Sequence, residues 1–345
     1  ALYHLPRFQV ERTEGNLEPG PRTGPSMMTT YEHIPVMRDR VLELLGPALG
    51  HEGALLVDAT LGLGGHAEAF LEAFPALRLL GIDRDIEAGN LASLRLARFS
   101  DRFTFHHGRY DTMAAALDHH FPGGEPAGIL LDLGVSSLHL DKPERGFSYA
   151  VDAPLDMRMD VSDDVTAEGI LRTYSVDELA DIFRTFGDEK LAGRYARAIV
   201  AHRDGSPLRT TAQVVDLLQS ATPYALKDRG HPAKRVFQAL RIEVNRELES
   251  LEAVLPVAMD RLAVGGRIVV MSYHSGEDRL VKKVIRQRSS STAPLGLPEE
   301  LPEHRSEFSE ITRGAEMATP EERAVNPRSA SVRTRAAERT RRVSR

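Results

Sequence analysis

Residues 53–66 read GALLVDATLGLGGH. A short apolar run ends in Asp58, and turn residues follow at once. A parallel strand covered by helices on both faces reads this way. Gly62, Gly64 and Gly65 permit positive φ and let a ligand approach the backbone. A helix starting near His66 would add free N–H groups beside them. The turn does not match the G-x-G-x-x-G fingerprint of NAD sites, and the phosphate-loop lysine is absent.

Outward from this turn the pattern repeats. Further strands are expected at Leu79–Asp83, Phe103–His107, Ile129–Leu133 and Arg267–Tyr273, with helices at His66–Phe74, Ile86–Leu96 and Met113–His119. Alternating strand and helix predicts an α/β, doubly wound parallel sheet. Asp83 ends the second strand roughly 20 residues past the glycines, where an acid suits ribose hydroxyls. With Asp58 before the turn, these features point to S-adenosylmethionine, whose amino-acid moiety replaces a pyrophosphate.

The alternation breaks after the fourth strand. Residues 141–244 read as a helical insertion, with Ser175 capping a helix over Val176–Phe186. A long helix is expected from Pro232, kinked or ended by Pro256. The division is therefore an extension expected to be disordered (1–30), a core (31–140), a substrate-recognition insertion (141–244) and the rest of the core with a basic end (245–345). Within that end, Ser331–Ala336 alternates as a half-buried strand does.

The 345 residues contain no cysteine, which excludes disulfides, thiolate metal sites and a cysteine nucleophile. Cytosine C5 methylation usually needs that nucleophile, so if cytosine is the substrate an exocyclic nitrogen is the better target. Net charge is −6, yet arginines crowd Arg323–Arg345, where phosphate contact and a solvated tail are even alternatives. Ala1–Thr30 has no long apolar core and no apolar run suits a bilayer, so a cytoplasmic protein is expected.

The fourth strand delivers Asp132 and then Ser136 to the edge where open α/β sheets bind ligands. The fifth delivers SYHSGEDR (272–279). Helix capping explains part of that cluster, but not His274. In the insertion, Phe147 suits base stacking or core packing, and Arg158 suits phosphate or an ion pair. His66 reads as a helix cap or a cofactor contact. Tyr110 reads as a part-buried aromatic or an adenine platform.

Together HIPVM (33–37), DATLGLGGH (58–66), IDRD (82–85), DLGVSS (132–137), ERGFS (144–148), PLDMRMD (154–160), HPAKRVFQALRIEVNRELE (231–249), GGRIVVMSYHSGEDR (265–279) and NPRSASVRTRAAER (326–339) resemble the RsmH (MraW) family. These are cytosine-N4 methyltransferases of small-subunit ribosomal RNA. The resemblance implies a class I (Rossmann-like) S-adenosylmethionine methyltransferase sheet with an inserted helical domain. It also implies a cytidine near the decoding centre of 16S rRNA as target.

Carried over by motif, Gly64, Gly65 and His66 would contact the cofactor, Asp83 its ribose, and Tyr110 and Asp132 its adenine side. His139, a further cofactor-contact candidate, stands where relatives often have Gln, and Tyr273 where they often have Phe. Asp132 and His274 are the candidate acceptors for the cytosine amine, with Ser136 and Ser275 supporting them; no metal is expected. The rivals are a methyltransferase of another substrate, a non-catalytic RNA-binding assembly factor, and an NAD-dependent dehydrogenase, which the turn disfavours.

Overall fold

The computed structural model describes residues 34–226, 230–294, 301 and 304–342. The expected extension, 1–30, lies outside them. Seven strands form one sheet: β1 (Leu55–Asp58), β2 (Arg78–Asp83), β3 (Phe103–His107), β4 (Gly128–Asp132), β5 (Arg267–Ser272), β6 (Phe308–Glu310) and β7 (Arg333–Arg339). Their order is 3-2-1-4-5-7-6. The first five are parallel neighbours, and β7 runs antiparallel between β5 and β6. This is an open α/β sheet, parallel over β1–β5 and closed on one side by an antiparallel pair.

Helices α1 (Arg38–Leu49), α2 (Gly65–Ala73), α3 (Ile86–Arg95), α4 (Met113–His120) and α5 (Ser137–Asp141) accompany the first four strands. Successive strand side chains point to opposite faces. Leu56, Leu79, Leu130 and Val269 share one cluster with Val41, Phe70 and Ala92. Leu55, Val57, Leu80, Ile129 and Ile268 pack on the other face against Met113, Leu251 and Val281. Both faces are buried, which is why the strands read as unbroken apolar runs.

Between β4 and β5 lie α6 (Ala167–Thr173), α7 (Val176–Thr185), α8 (Ala192–Arg203), α9 (Thr211–Ala221), α10 (Ala233–Asn245) and α11 (Glu247–Arg261). The first five build a cluster of their own around Phe183, Tyr195, Ile199, Leu218, Val236 and Leu240. Ser175 caps α7 in a reciprocal box with Glu178. Helix α12 (Ser275–Arg288) follows β5, and α13 (Pro320–Val325) precedes β7.

Two sequence expectations fail. The long helix breaks at Arg246, which takes a left-handed conformation (φ 50°), and not at Pro256. Pro256 sits inside α11 on its exposed side, as does Glu252, so water can serve the Glu252 carbonyl that the ring leaves unbonded. Asn245 instead fixes the break: its amide donates to Met157 O (2.7 Å) and Arg241 O (2.9 Å) and accepts from Met159 N (2.8 Å).

The second concerns β7, which is buried on both sides rather than one. Val332, Thr334 and Ala336 fill one face, while Arg335 and Arg339 are also buried. Arg335 is neutralised by Asp278 at 2.8 Å, and Arg339 donates to the carbonyls of Asp260 and Leu262. The basic C-terminal stretch is therefore largely structural. The short strand β6, which covers the outer edge of β7, carried no sequence signal.

Candidate active site

The carboxyl ends of β1, β2, β4 and β5 converge, and hydrogen bonds between their loops fix the geometry. Asp132 N donates to Thr60 Oγ1 (2.6 Å), which ties β4 to the glycine turn. Asp83 takes Gly62 N on Oδ2 (2.7 Å) and Asp85 N on Oδ1 (2.9 Å), which ties β2 to the same turn. Burial pushes the Asp83 carboxyl above its ordinary value, against the pull of those two N–H groups. Asp83 thus braces the turn while standing at the expected edge.

The three glycines do different work. Gly65 is required by Pro35: a Cβ there would meet Pro35 Cγ at 2.6 Å. Gly64 has φ +78°, and a Cβ there would crowd Ala92 of α3 and Leu96 at its end, at 3.2 and 3.3 Å. Of the three, only Gly62 (φ +52°) could take a Cβ without displacing a neighbour, at ordinary contact distance from Thr60 O (3.9 Å) and Ser136 Cβ (4.0 Å). The cradle is lined by Gly62 and Ser136, while Gly64 and Gly65 hold it against the protein.

Four buried polar atoms at this edge, His66 Nε2, Ser136 Oγ, Ser272 Oγ and His274 Nε2, have no hydrogen-bond partner among the described residues. Such groups are costly to bury unless something meets them. Asp58 is 2% exposed and accepts from Thr60 N (3.2 Å). Burial raises its carboxyl to about 7, against the lowering influence of His66. A glycine turn with room at Gly62, unpartnered polar atoms and a buried acid together fit a ligand with a cationic amino-acid end.

Asp132 occupies the centre. Its Oδ1 accepts from the Tyr273 hydroxyl (2.7 Å), and its Oδ2 lies 3.6 Å from His66 Nε2, beyond hydrogen-bond range. One oxygen is held and the other remains available. The Tyr273 hydroxyl is pushed well above its ordinary value by burial and by the carboxylate beside it. Gly134 (φ +93°) lets the β4 loop lie beside the Tyr273 ring, where a Cβ would stand 3.6 Å from Cδ2. The sequence marked the cluster after β5 but not Tyr273 within it, because tyrosine carries no charge signal there.

The other candidates are placed elsewhere. His274 caps α12, and its Nε2 lies 3.3 Å from Glu277 Oε1. No ion pair joins it to Asp132 among the described residues. Glu247, His274 and Glu277 bring metal-ligand-type atoms within 4.8 Å of one another. Arg241 spans both Glu247 oxygens (2.8 and 3.0 Å), so a guanidinium already supplies positive charge there. Ser275 Oγ donates to Asp188 Oδ2 (2.7 Å) and joins α12 to the α7–α8 loop. Tyr110 is half-buried with its hydroxyl on Glu247 O (2.9 Å).

His139 has both ring nitrogens engaged. Nδ1 accepts from Ser136 N (3.1 Å), so Nε2 carries the proton and donates to Asp85 Oδ2 (2.9 Å). Burial alone would raise the Asp85 carboxyl, but the bond from His139 and the charge of Arg145 bring it down to about 2. A ligand contact through a His139 nitrogen would displace one of these bonds, so the residue positions the Ser136 loop.

Phe147 stacks on His139 (4.9 Å between centroids) and is 9% exposed, so it packs in the protein rather than waiting for a base. Arg158 binds Asp156 through Nε (2.8 Å) and the carbonyls of Val161 and Asp163 (2.9 and 2.7 Å). It is not free for phosphate. The polar PLDMRMD stretch is explained by these internal bonds.

The model of the MraW methylase family matches residues 30–340. The chain belongs to this family. A protein of Clavibacter michiganensis subsp. michiganensis named ribosomal RNA small subunit methyltransferase H is 59% identical over 310 residues, 90% of this chain and 97% of that protein. A Nocardia farcinica protein of the same name is 55% identical, over 89% and 96% of the two chains. Among solved structures, an rRNA methylase from Streptococcus thermophilus superposes with a TM-score of 0.40 at 13% identity, over 88% of this chain and 95% of that one. No helix among the described residues of this family member is long and apolar enough to cross a membrane.

Proposed function

We propose that this chain transfers a methyl group from S-adenosylmethionine to N4 of one cytidine near the decoding centre of 16S rRNA in the small ribosomal subunit. The observation that carries the reading is Asp132: one oxygen is held by Tyr273 and the other is left for a donor. Membership of the MraW methylase family and the names of its curated relatives support the substrate class. The work is then cytoplasmic, where that RNA resides.

The residues that would hold the cofactor are Gly62 and His66 along the turn that Gly64 and Gly65 seat against the protein, Asp58 at a cationic amino group, Asp83 at the ribose side and Tyr110 near the adenine. When bound, S-adenosylmethionine supplies an already electrophilic methyl group. The cytosine amine is the harder partner, because its lone pair is delocalised into the ring. Asp132 Oδ2 accepts an amine N–H, which favours rehybridisation and meets the positive charge that grows on nitrogen. It then takes the proton that the amine must lose and passes it to water. Tyr273 holds the carboxylate in place, and Ser136 Oγ offers a further hydrogen bond across the Gly62 cradle. His274 and Ser275 support this edge through α12 rather than at the amine. Helices α6–α10 form the side that receives the RNA, and the target base leaves its stack to reach Asp132.

The test is a methyl-transfer assay with labelled cofactor and small subunits from cells lacking the modification, with the product identified by mass spectrometry. N4-methylcytidine at a single site is expected. Transfer to another nucleoside would overturn the assignment of target atom.

A further inference from the structure

Two cationic features singled out in the sequence are committed within the protein. Arg158 serves Asp156, and Arg335 and Arg339 are buried in β7. RNA needs cations that are not already spent on internal partners, and such cations lie along α12. Arg279, Lys282, Lys283 and Arg286 are all exposed, at i, i+3, i+4 and i+7. That spacing places them within one stripe about 100° wide. None has an ion pair or a side-chain hydrogen bond with another described residue.

The same helix shows what a structural arginine looks like here: Arg288 binds Asp260 at 2.7 Å and also engages Glu307. Its acids are occupied too, Asp278 by Arg335 and Glu277 in the interior. Val281 and Ile285 bury the opposite face. Like charges at i, i+4 oppose each other along a helix. A four-cation stripe free of acids is a local cost in a chain of net charge −6, and a polyanion would offset it. The helix starts at Ser275, directly after the strand that delivers Tyr273 to Asp132, and Arg279 lies one turn further on.

We infer that Arg279, Lys282, Lys283 and Arg286 of α12 form a track for the phosphate backbone of the RNA substrate beside the active site. The inference rests on the proposed RNA substrate. These contacts position the strand without reading its bases, so they act on RNA affinity and not on the chemistry.

The test compares wild-type protein with R279Q/K282Q/K283Q/R286Q, glutamine keeping helix propensity. Binding to small ribosomal subunits is measured across a salt series, beside steady-state methyl transfer. The variant is expected to bind about 10- to 100-fold more weakly near physiological salt, with a log–log salt slope shallower by about 3. Its KM for RNA rises while kcat at saturating RNA and cofactor affinity stay within about twofold. Should the quadruple variant fold poorly by circular dichroism, R279Q/K282Q and K283Q/R286Q each give about half the slope change, and K282R/K283R retains the wild-type slope. If wild type binds and methylates the subunit and the neutral variants match it in affinity and slope, the track is overturned while the RNA reading stands. If wild type neither binds nor methylates the subunit, both fall.

Discussion

The Tyr273 hydroxyl donates to Asp132 Oδ1 at 2.7 Å, while His66 Nε2 stands 3.6 Å from the other oxygen. This asymmetry separates a held oxygen from a working one. Asp132→Ala should lower kcat by about 10²- to 10³-fold, the usual loss on removing a group that stabilises transition-state charge. Cofactor affinity should change less than tenfold. Steady-state kinetics and calorimetry check this, and parallel losses in both would assign Asp132 to cofactor binding instead. Tyr273→Phe leaves the carboxylate and removes only its brace, so a drop in kcat of no more than about tenfold is expected.

Asp58 yields a pH dependence. Burial raises its folded-state value to about 7, from an ordinary value near 3.8. Between those limits the unfolded chain ionises while the folded one keeps its proton, so stability falls as pH rises through the window. Above about 7 both states are ionised and the full penalty remains. Asp58→Asn should therefore raise Tm relative to wild type at pH 8 and much less at pH 5. A Tm difference that does not vary with pH would remove the burial explanation. The same variant should bind S-adenosylmethionine more weakly, because the acceptor for its amino group is gone.

The glycines separate by experiment. Gly65→Ala forces Pro35 to move and should cost about 1–3 kcal/mol of stability. Pro35→Ala in the same chain should recover most of it. Gly62→Ala meets no close neighbour, so beyond about 1 kcal/mol of backbone strain at φ +52° its effect should fall on cofactor affinity. Thermal unfolding and cofactor titration distinguish the two, and a Gly62 variant with unaltered affinity would argue against the cradle.

Arg158→Ala should behave as a structural substitution. It removes the guanidinium from Asp156, which keeps only the backbone N–H of residue 158, and from two carbonyls, for about 1–3 kcal/mol of stability. The salt slope of RNA binding should not change. A slope shallower by about 1 would return Arg158 to the phosphate-binding set.

The sequence by itself determined the five parallel strands of the sheet and the neighbourhood of the site, but not its antiparallel edge. Buried parallel strands write continuous apolar runs, and β3 falls on the expected residues. Glycine turns and acids at strand ends likewise mark an edge, so Asp58, Gly62, Asp83 and Asp132 were legible. Tertiary structure alone decided which polar groups are free. Whether Arg158 meets an acid, whether the β7 arginines are buried, and whether His274 or Tyr273 faces Asp132 depend on partners far away in the chain. Asp132 and Tyr273 are 141 residues apart, and no local pattern encodes that contact. Helix breaks followed the same rule, since Asn245 is fixed by Met157 and Met159, 88 and 86 residues upstream. Apolar periodicity is local because it is set by backbone geometry, whereas the role of a charge is set by what folding brings within about 3 Å of it.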